Sequence, residues 1–171
     1  MMRIREATDE DALDLIELIG SVFGEYAGCV LDVEGELPEL RRLASWAKER
    51  GGTFWVADDE AKGRVVAMGG FTVNEASSGP EGFAPNGTGL ELRKLYVHRK
   101  ARTGGLGAQI LDRVEQAARD RNARYIEMWS DTRFTTAHRF YEKRGYVRGP
   151  VTRDLHDLSK SVEFYFKKEL A

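Results

Sequence analysis

The residues whose types and spacing most invite chemistry form the run Arg102-Thr103-Gly104-Gly105-Leu106-Gly107. It follows the apolar stretch Leu90 to Val97, which has strand character. It opens a segment in which Leu106, Ile110, Val114 and Ala117 recur at helical spacing. Glycines let a backbone come close to a ligand. The first turn of a helix leaves amide N–H groups unpaired, and the helix dipole favours an anion there. His98, Arg99, Lys100 and Arg102 crowd the approach with basic groups. Together these features predict a pyrophosphate site. The alternative is a plain glycine turn between strand and helix, which an isolated motif of this kind more often is. Two nucleotide motifs fail on spacing. A dinucleotide fingerprint requires glycine three residues after Gly107, where Ile110 stands, and the Gly-Lys-Ser/Thr of a P-loop is absent.

The elements that must position this loop follow from the pattern of the rest. Met2 to Ala7 reads as a first strand. Thr8-Asp9-Glu10-Asp11 has the cap-and-acid spacing of a helix start, and Ala12, Ile16, Ile19 and Phe23 continue it. Gly24 to Gly35 reads as a break. Pro38 suits a first helical turn, with Leu40, Leu43, Ala44 and Ala47 behind it and Gly51-Gly52 as its end. Thr53–Ala57 and Val65–Val73 form a hairpin about the polar turn from Asp58 to Gly63. Gly69-Gly70 inside the second strand suggests a bulge or a close backbone approach. Glu75 to Gly89 has no period and is the longest loop. Leu90–Val97 is a strand in which period two puts Glu91, Arg93, Leu95 and Val97 on one face. Arg124–Trp129 is a strand. Phe134, Ala137, Phe140 and Tyr141 mark a helix closed by Gly145. Tyr146-Val147 and Ser161–Lys167 are closing strands. The fold class is α/β (α+β), one domain over residues 1–171, with Leu90 to Trp129 as a locally parallel, right-handed β-α-β unit.

At this point the sequence resembles the GNAT superfamily of acetyl-CoA-dependent N-acetyltransferases. Leu95-Tyr96-Val97 followed by Arg102-Thr103-Gly104-Gly105-Leu106-Gly107 is similar to the family's strand and its Arg/Gln-x-x-Gly-x-Gly/Ala loop. Ala137-His138-Arg139-Phe140-Tyr141-Glu142-Lys143-Arg144-Gly145-Tyr146 is similar to the family's later Ala-x-x-Leu/Phe-Tyr-Glu-Lys-x-Gly-Phe/Tyr helix end. The two stand in the family's order, one helix and one strand apart. The resemblance implies a mixed, mostly antiparallel sheet with a central parallel β-α-β unit and helices on both faces. It also implies acetyl-CoA as cosubstrate. The backbone of Leu95, Tyr96 and Val97 would line the pantetheine arm and acetyl group. The amides from Arg102 through Thr103, Gly104, Gly105, Leu106 and Gly107 to Ala108 would hold the diphosphate. The cofactor would lie in a gap between Leu90–Val97 and Arg124–Trp129. Tyr141 would protonate the departing thiolate, a role that suits a phenol neutral at pH 7; apart from the resemblance, Tyr141 reads as core packing beside Phe140. Phe134 stands where many members have a cofactor-contacting asparagine, and Trp129 where some have a glutamate base, so neither role carries over.

Attack by an amine needs a base or a water relay. Glu91, at the start of the cofactor strand, is the first candidate, and it reads equally as half of an ion pair. Asp131 is second, with a helix-capping role as its alternative. His138 is third, though more often such a histidine is packed or at the surface. The scattered His98, His138, His156 and Cys29 lack metal-ligand spacing, so no metal is expected. Nothing around Cys29 supports covalent catalysis, which favours direct attack in a ternary complex. Trp46, Trp55 and Trp129 read as core or groove wall. Glu25, Tyr26, Glu34, Glu36 and the loop Glu75–Gly89 would suit a cationic acceptor if they line its pocket, and otherwise form a solvated surface.

Composition bounds the partners. A net charge of −2 argues against a nucleic-acid-binding surface. No apolar run approaches the ~18 residues of a membrane span, and no signal peptide is indicated. One cysteine permits no internal disulfide, so a cytoplasmic setting is expected. The acceptor class, a small-molecule or a peptide amine, is left open by the residues. The closing strands offer a route to a homodimer. Two other functions compete: a non-catalytic acyl-CoA-binding module, and a nucleotide-binding redox protein weakened by the missing third glycine.

Overall fold

The computed structural model describes residues 1–171. Strands β1 (Met2–Glu6), β2 (Thr53–Asp59), β3 (Arg64–Asn74), β4 (Gly89–Val97), β5 (Tyr125–Asp131), β6 (Val147–Asp154) and β7 (Val162–Glu169) alternate with helices α1 (Ala12–Phe23), α2 (Val33–Glu36), α3 (Leu43–Glu49), α4 (Leu106–Asp120) and α5 (Thr135–Lys143). The strands make one sheet in the order β1-β2-β3-β4-β5-β7-β6, antiparallel throughout except for β4 and β5. The expected element order is present. The short helix α2 falls in the segment read as a break, and a 3-10 turn over Arg99–Gly104 precedes α4. Asp11 Oδ2 accepts the Thr8 N–H at 2.8 Å, so the expected cap-and-acid pair closes the helix start. No helix is long and apolar enough to cross a membrane.

The period-two pattern of the strands sorts side chains onto two cores. Phe54, Val56, Val65 and Met68 pack with Leu15, Ile19, Leu40 and Leu43 of the α1–α3 side. Phe71, Leu90, Leu92, Ile126 and Met128 pack with Leu111, Val114 and Tyr141 of the α4–α5 side. The second layer fixes the helix that carries the glycine loop. Ile110, Leu111 and Val114 are fully buried. Each such side chain contributes roughly 1.5–3 kcal/mol on burial, against about 0.2–0.5 kcal/mol for a surface pair such as Gln116–Asp120. Burial therefore docks α4.

Register breaks where the site is built. Met68 pairs with Tyr96 but Gly70 pairs with Arg93, so β4 carries an extra residue, and Lys94 there has φ +50°. This bulge corrects the single-face reading of β4. Glu91 and Arg93 point to one face, while Leu95 and Val97 pack under α4 on the other with Leu92. A bulge reverses alternation for every residue beyond it. Gly69 and Gly70 of β3 lie opposite. A Cβ on Gly69 would stand 2.8 Å from Leu95 Cδ1 and 2.9 Å from Ile110 Cγ2, and one on Gly70 2.3 Å from the Thr53 carbonyl oxygen. The glycine pair is thus a close-approach site against the bulge, as the sequence suggested.

These distances give a ranked prediction. Gly70→Ala meets backbone, which cannot yield, and should destabilise by about 1–3 kcal/mol or more. Gly69→Ala meets the ends of movable side chains and should cost less. Urea denaturation of the two variants checks the order; equal costs would contradict it.

Candidate active site

The parallel pairing of β4 with β5 is confined to Leu90 with Ile126 and Glu91 with Glu127. Beyond those pairs the strands part, and a cleft of about 510 Å³ opens between them. Leu92, Leu95 and Tyr96 of β4, Met128, Trp129 and Asp131 of β5, and Ala137 and Tyr141 of α5 line it. A sheet interrupted this way leaves unpaired backbone groups along both strands, which a bound chain-like ligand can satisfy.

The glycine loop lies past the end of β4. Gly105 has φ +74°, a left-handed conformation that the turn into α4 requires and glycine adopts without cost. The first regular bond of the helix start runs from the Gln109 N–H to the Gly105 oxygen at 3.0 Å; Leu106, Gly107 and Ala108 precede it. Nothing lies within 4 Å of where a Cβ would project from Gly104 or Gly105, so the turn faces open space. Arg102, Thr103, Gly104 and Gly105 are exposed, whereas Leu106 is an anchor in the core. Partial burial and the cations Arg64, Arg99 and Lys100 hold the nearby His98 below the ordinary histidine range, the signature of a positive field. Arg102 itself is engaged. Its Nε donates to the Val97 carbonyl at 3.0 Å, and both terminal nitrogens bind Glu25, at 2.7 and 2.6 Å. This fork ties the loop to the end of α1. The side chain of Val97 packs beneath α4, so of the three β4 residues expected along the cofactor, Leu95 and Tyr96 reach the cleft.

Tyr141 lies at the cleft wall on the α4–α5 face of the sheet, and burial pushes its phenol well above the usual tyrosine range. It therefore keeps its proton at neutral pH and is available as a donor. It is also part of the core, packed on Tyr146 and Phe166, which is the packing role read from sequence.

The opposite face carries the charged groups. Glu91 is buried; its Oε1 takes hydrogen bonds from Asn74 Nδ2 at 2.9 Å and Ser78 Oγ at 3.3 Å, and its Oε2 forms an ion pair with Arg93 Nη1 at 2.9 Å. Beside it Glu127, fully buried, accepts from Asn74 Nδ2 at 2.9 Å, the Ser78 amide at 3.1 Å, Tyr165 at 2.6 Å and Ser77. These two carboxylates anchor the start of the loop between β3 and β4. Asp131 lines the cleft but folds back on its own turn, accepting the Arg133 N–H at 2.9 Å and Nε at 3.0 Å. His138 lies elsewhere. It is buried between the rings of Phe164 and Phe166 and bonded to Ser130 Oγ at 3.0 Å, and burial lowers its pKa, so it acts as a neutral core group. Cys29 lines the cleft, yet burial raises its thiol pKa and keeps it un-ionised. Of the acidic residues proposed for an acceptor pocket, Glu36 lines the cleft; Glu25 binds Arg102, and Glu34 pairs with Arg41 at the surface. Tyr26 packs on Phe134, which fills the place of the family's asparagine with an aromatic cluster including Phe23 and Tyr96.

Four charged residues in the cleft escaped the sequence reading: Lys94, Arg153, Asp157 and Glu163. Lys94, at the bulge, pairs with Glu39 at 2.9 Å. Arg153 of β6 pairs with Glu163 of β7 at 2.9 Å and lies over the Trp129 ring at 4.2 Å. Alternation along Ser161–Lys167 groups Glu163 with Tyr165 and Lys167. The cleft becomes their neighbour only because β7 inserts between β5 and β6, a long-range pairing without a local signal.

Comparisons with known proteins agree with this architecture. No curated protein matches the sequence. Among solved structures, a GNAT-family acetyltransferase from Staphylococcus aureus Mu50 superposes with a TM-score of 0.76 at 20% identity, covering 100% of both chains. Ribosomal-protein-alanine N-acetyltransferase from Brucella melitensis gives 0.68 at 19% identity over 98% of this chain and 99% of its own. The yncA protein of Salmonella typhimurium, solved with its cofactor acetyl-CoA, gives 0.68 at 17% identity over 100% of this chain and 95% of its own. At these identities the likeness establishes the fold. The sequence model of the acetyltransferase (GNAT) family matches residues 19–146, which contain the cleft strands, the glycine loop and Tyr141, and the chain therefore belongs to the GNAT family of acetyltransferases.

Proposed function

We propose that this chain transfers the acetyl group of acetyl-CoA to an amine by direct attack in a ternary complex. The observation that carries it is the continuity of the parted β4–β5 strands with an open glycine turn at the head of α4 and a buried tyrosine, protonated at neutral pH, at the cleft wall. The residues fit the cofactor. The space over Gly104 and Gly105 and the amides of Leu106, Gly107 and Ala108 would hold the diphosphate, and the β4 backbone at Leu95 and Tyr96 would run beside the pantetheine. Acetyl-CoA supplies an activated acyl group as a thioester. Tyr141 holds a proton for the departing sulfur. The acidic groups Glu36, Glu91, Asp131, Asp157 and Glu163 at the other end of the cleft favour a cationic acceptor, and Arg93, Lys94 and Arg153 keep that end from being uniformly negative.

Two variants separate binding from chemistry. Gly104→Val places a side chain in open space at a residue without positive φ, so the fold should stand while the diphosphate approach closes. Its acetyl-CoA Kd, by calorimetry, should rise at least ~10-fold, or about 1.4 kcal/mol; unchanged affinity would remove the loop from the site. Tyr141→Phe should keep acetyl-CoA affinity and lose roughly 10²–10⁴-fold in kcat, measured as free-thiol release over a panel of amines. Undiminished turnover would remove the phenol from the mechanism.

A further inference from the structure

Five carboxylates line the cleft. Glu36 accepts the Leu158 N–H at 3.0 Å and Asp157 the Ser161 N–H at 2.7 Å, so both hold the backbone between β6 and β7; the surroundings of the other three differ. Glu91 takes hydrogen bonds from Asn74 and Ser78 on Oε1, and its Oε2 forms an ion pair with Arg93 Nη1 at 2.9 Å. Its carboxylate is spent on holding the loop and Arg93. Asp131 is drawn back onto Arg133 by a backbone and a side-chain bond, both on Oδ1, the geometry of a turn-closing acid, and its side chain is only 8% exposed. Glu163 is placed otherwise. It starts β7, opposite Asp131 of β5 on one side and Arg153 of β6 on the other. Its side chain is 16% exposed. Arg153 donates its Nε to Oε1 at 2.9 Å, and its Nη2 pairs with the same atom at 2.9 Å. Oε2 receives no hydrogen bond from the chain and belongs to a residue that lines the cleft.

We propose that Glu163 is the general base of the transfer, accepting a proton from the acceptor amine at Oε2. This rests on the amine-acetylating function above. Every element packed around Glu163 contributes a charge or titratable group: Arg153 from β6, Asp131 from β5, and Glu91, Lys94 and Tyr96 from β4. Burial, with the nearby Asp131 and Glu91, raises its proton affinity despite Arg153, which suits a base operating nearer neutrality than an ordinary carboxylate does. Alternation separates the two catalytic groups by the sheet itself. Phe164 and Phe166 face His138 and the α5 side, so Glu163 faces away from Tyr141. The base meets the amine on one face and the acid meets the sulfur from the other.

The proton accounting closes. The acceptor arrives as an ammonium ion and gives one proton to Glu163. The freed lone pair forms the C–N bond to the acetyl carbon, and the C–S bond breaks with its electrons on sulfur. Sulfur takes the Tyr141 proton. The second proton leaving nitrogen restores the phenol through solvent, and Glu163 returns its own to solvent, so one proton is released per turnover.

The test is the pH dependence of kcat, which reports groups in the bound complex. Thiol release is followed for wild type, E163Q, E163D, E91Q and D131N with an amine that wild type acetylates. Wild type should lose activity as pH falls through a pKa above about 4.3, the ordinary glutamate value. In E163Q this acid limb should vanish and kcat fall ~10²-fold or more, with acetyl-CoA affinity kept as proof of folding. E163D should recover part of the loss and the limb, and E91Q and D131N should retain the limb. An E163Q enzyme with wild-type kcat and limb would overturn the assignment while leaving the acetyltransferase reading intact. A wild type inert toward every amine would overturn both. A readout free of turnover is the carboxyl ¹³C titration of the resonance missing in E163Q: it should titrate above 4.3, and a value at or below that would refute the base.

Discussion

The structure turns on the failure of β4 and β5 to stay paired. Two residue pairs hold them together, at Leu90–Ile126 and Glu91–Glu127, and then the hydrogen-bond ladder stops. On its other side β4 remains bonded to β3, but through a bulge at Lys94 that bends the strand and reverses its alternation. Such an opening costs backbone hydrogen bonds, so it persists only where packing holds it. Ile110 and Leu111 of α4 on one face, and Leu15, Ile19 and Leu40 of the α1–α3 side on the other, supply that packing. The same burial aims the head of α4 at the end of the gap. Cleft and glycine turn are therefore consequences of one packing arrangement.

The bulge also sorts the chemistry. Without it, Glu91 and Arg93 would share a face with Leu95 and Val97, and polar groups would be driven under α4. With it, Leu92, Leu95 and Tyr141 make one side of the gap apolar, while Glu91, Arg93, Asp131, Arg153 and Glu163 gather on the other. Most of these charges are paired within the chain, as buried charges must be. The buried carboxylates Glu91 and Glu127 act through Asn74, Ser77 and Ser78 as ties for the long loop, so the segment that sequence marked only as irregular has a fixed attachment. At the far end, Arg102 links the glycine turn to Glu25 at the end of α1, joining the cofactor side of the molecule to the segment that borders the cleft.

Much of this was legible in the residues. Helical and alternating periods placed the long elements except β6, which was legible only at Tyr146-Val147; its side chains are mostly exposed, so Arg148 to Asp154 carry no burial pattern. The glycine turn and the Tyr141 helix were legible because their chemistry is local: adjacent glycines, a strand before, a helix after. Gly69-Gly70 announced a close approach, although the bulge itself lies across the ladder in β4, where alternation gave no warning. The expected period-two face of Glu91 failed for that reason. Glu163, Arg153 and Lys94 were invisible as a group because β4 lies far in sequence from the β6–β7 pair that meets it across the cleft. His138 and Asp131 carried the right chemical types, yet only tertiary contacts show one sealed between phenylalanines and the other turned onto Arg133.

The central claim is that the first-turn amides of α4 receive the diphosphate of coenzyme A. Amide ¹H–¹⁵N NMR during titration with coenzyme A, beside pantetheine, which lacks the diphosphate, tests it most directly. The account predicts saturable shifts concentrated at Leu106, Gly107 and Ala108 with coenzyme A and not with pantetheine. Saturable binding that leaves those three amides unmoved would contradict it.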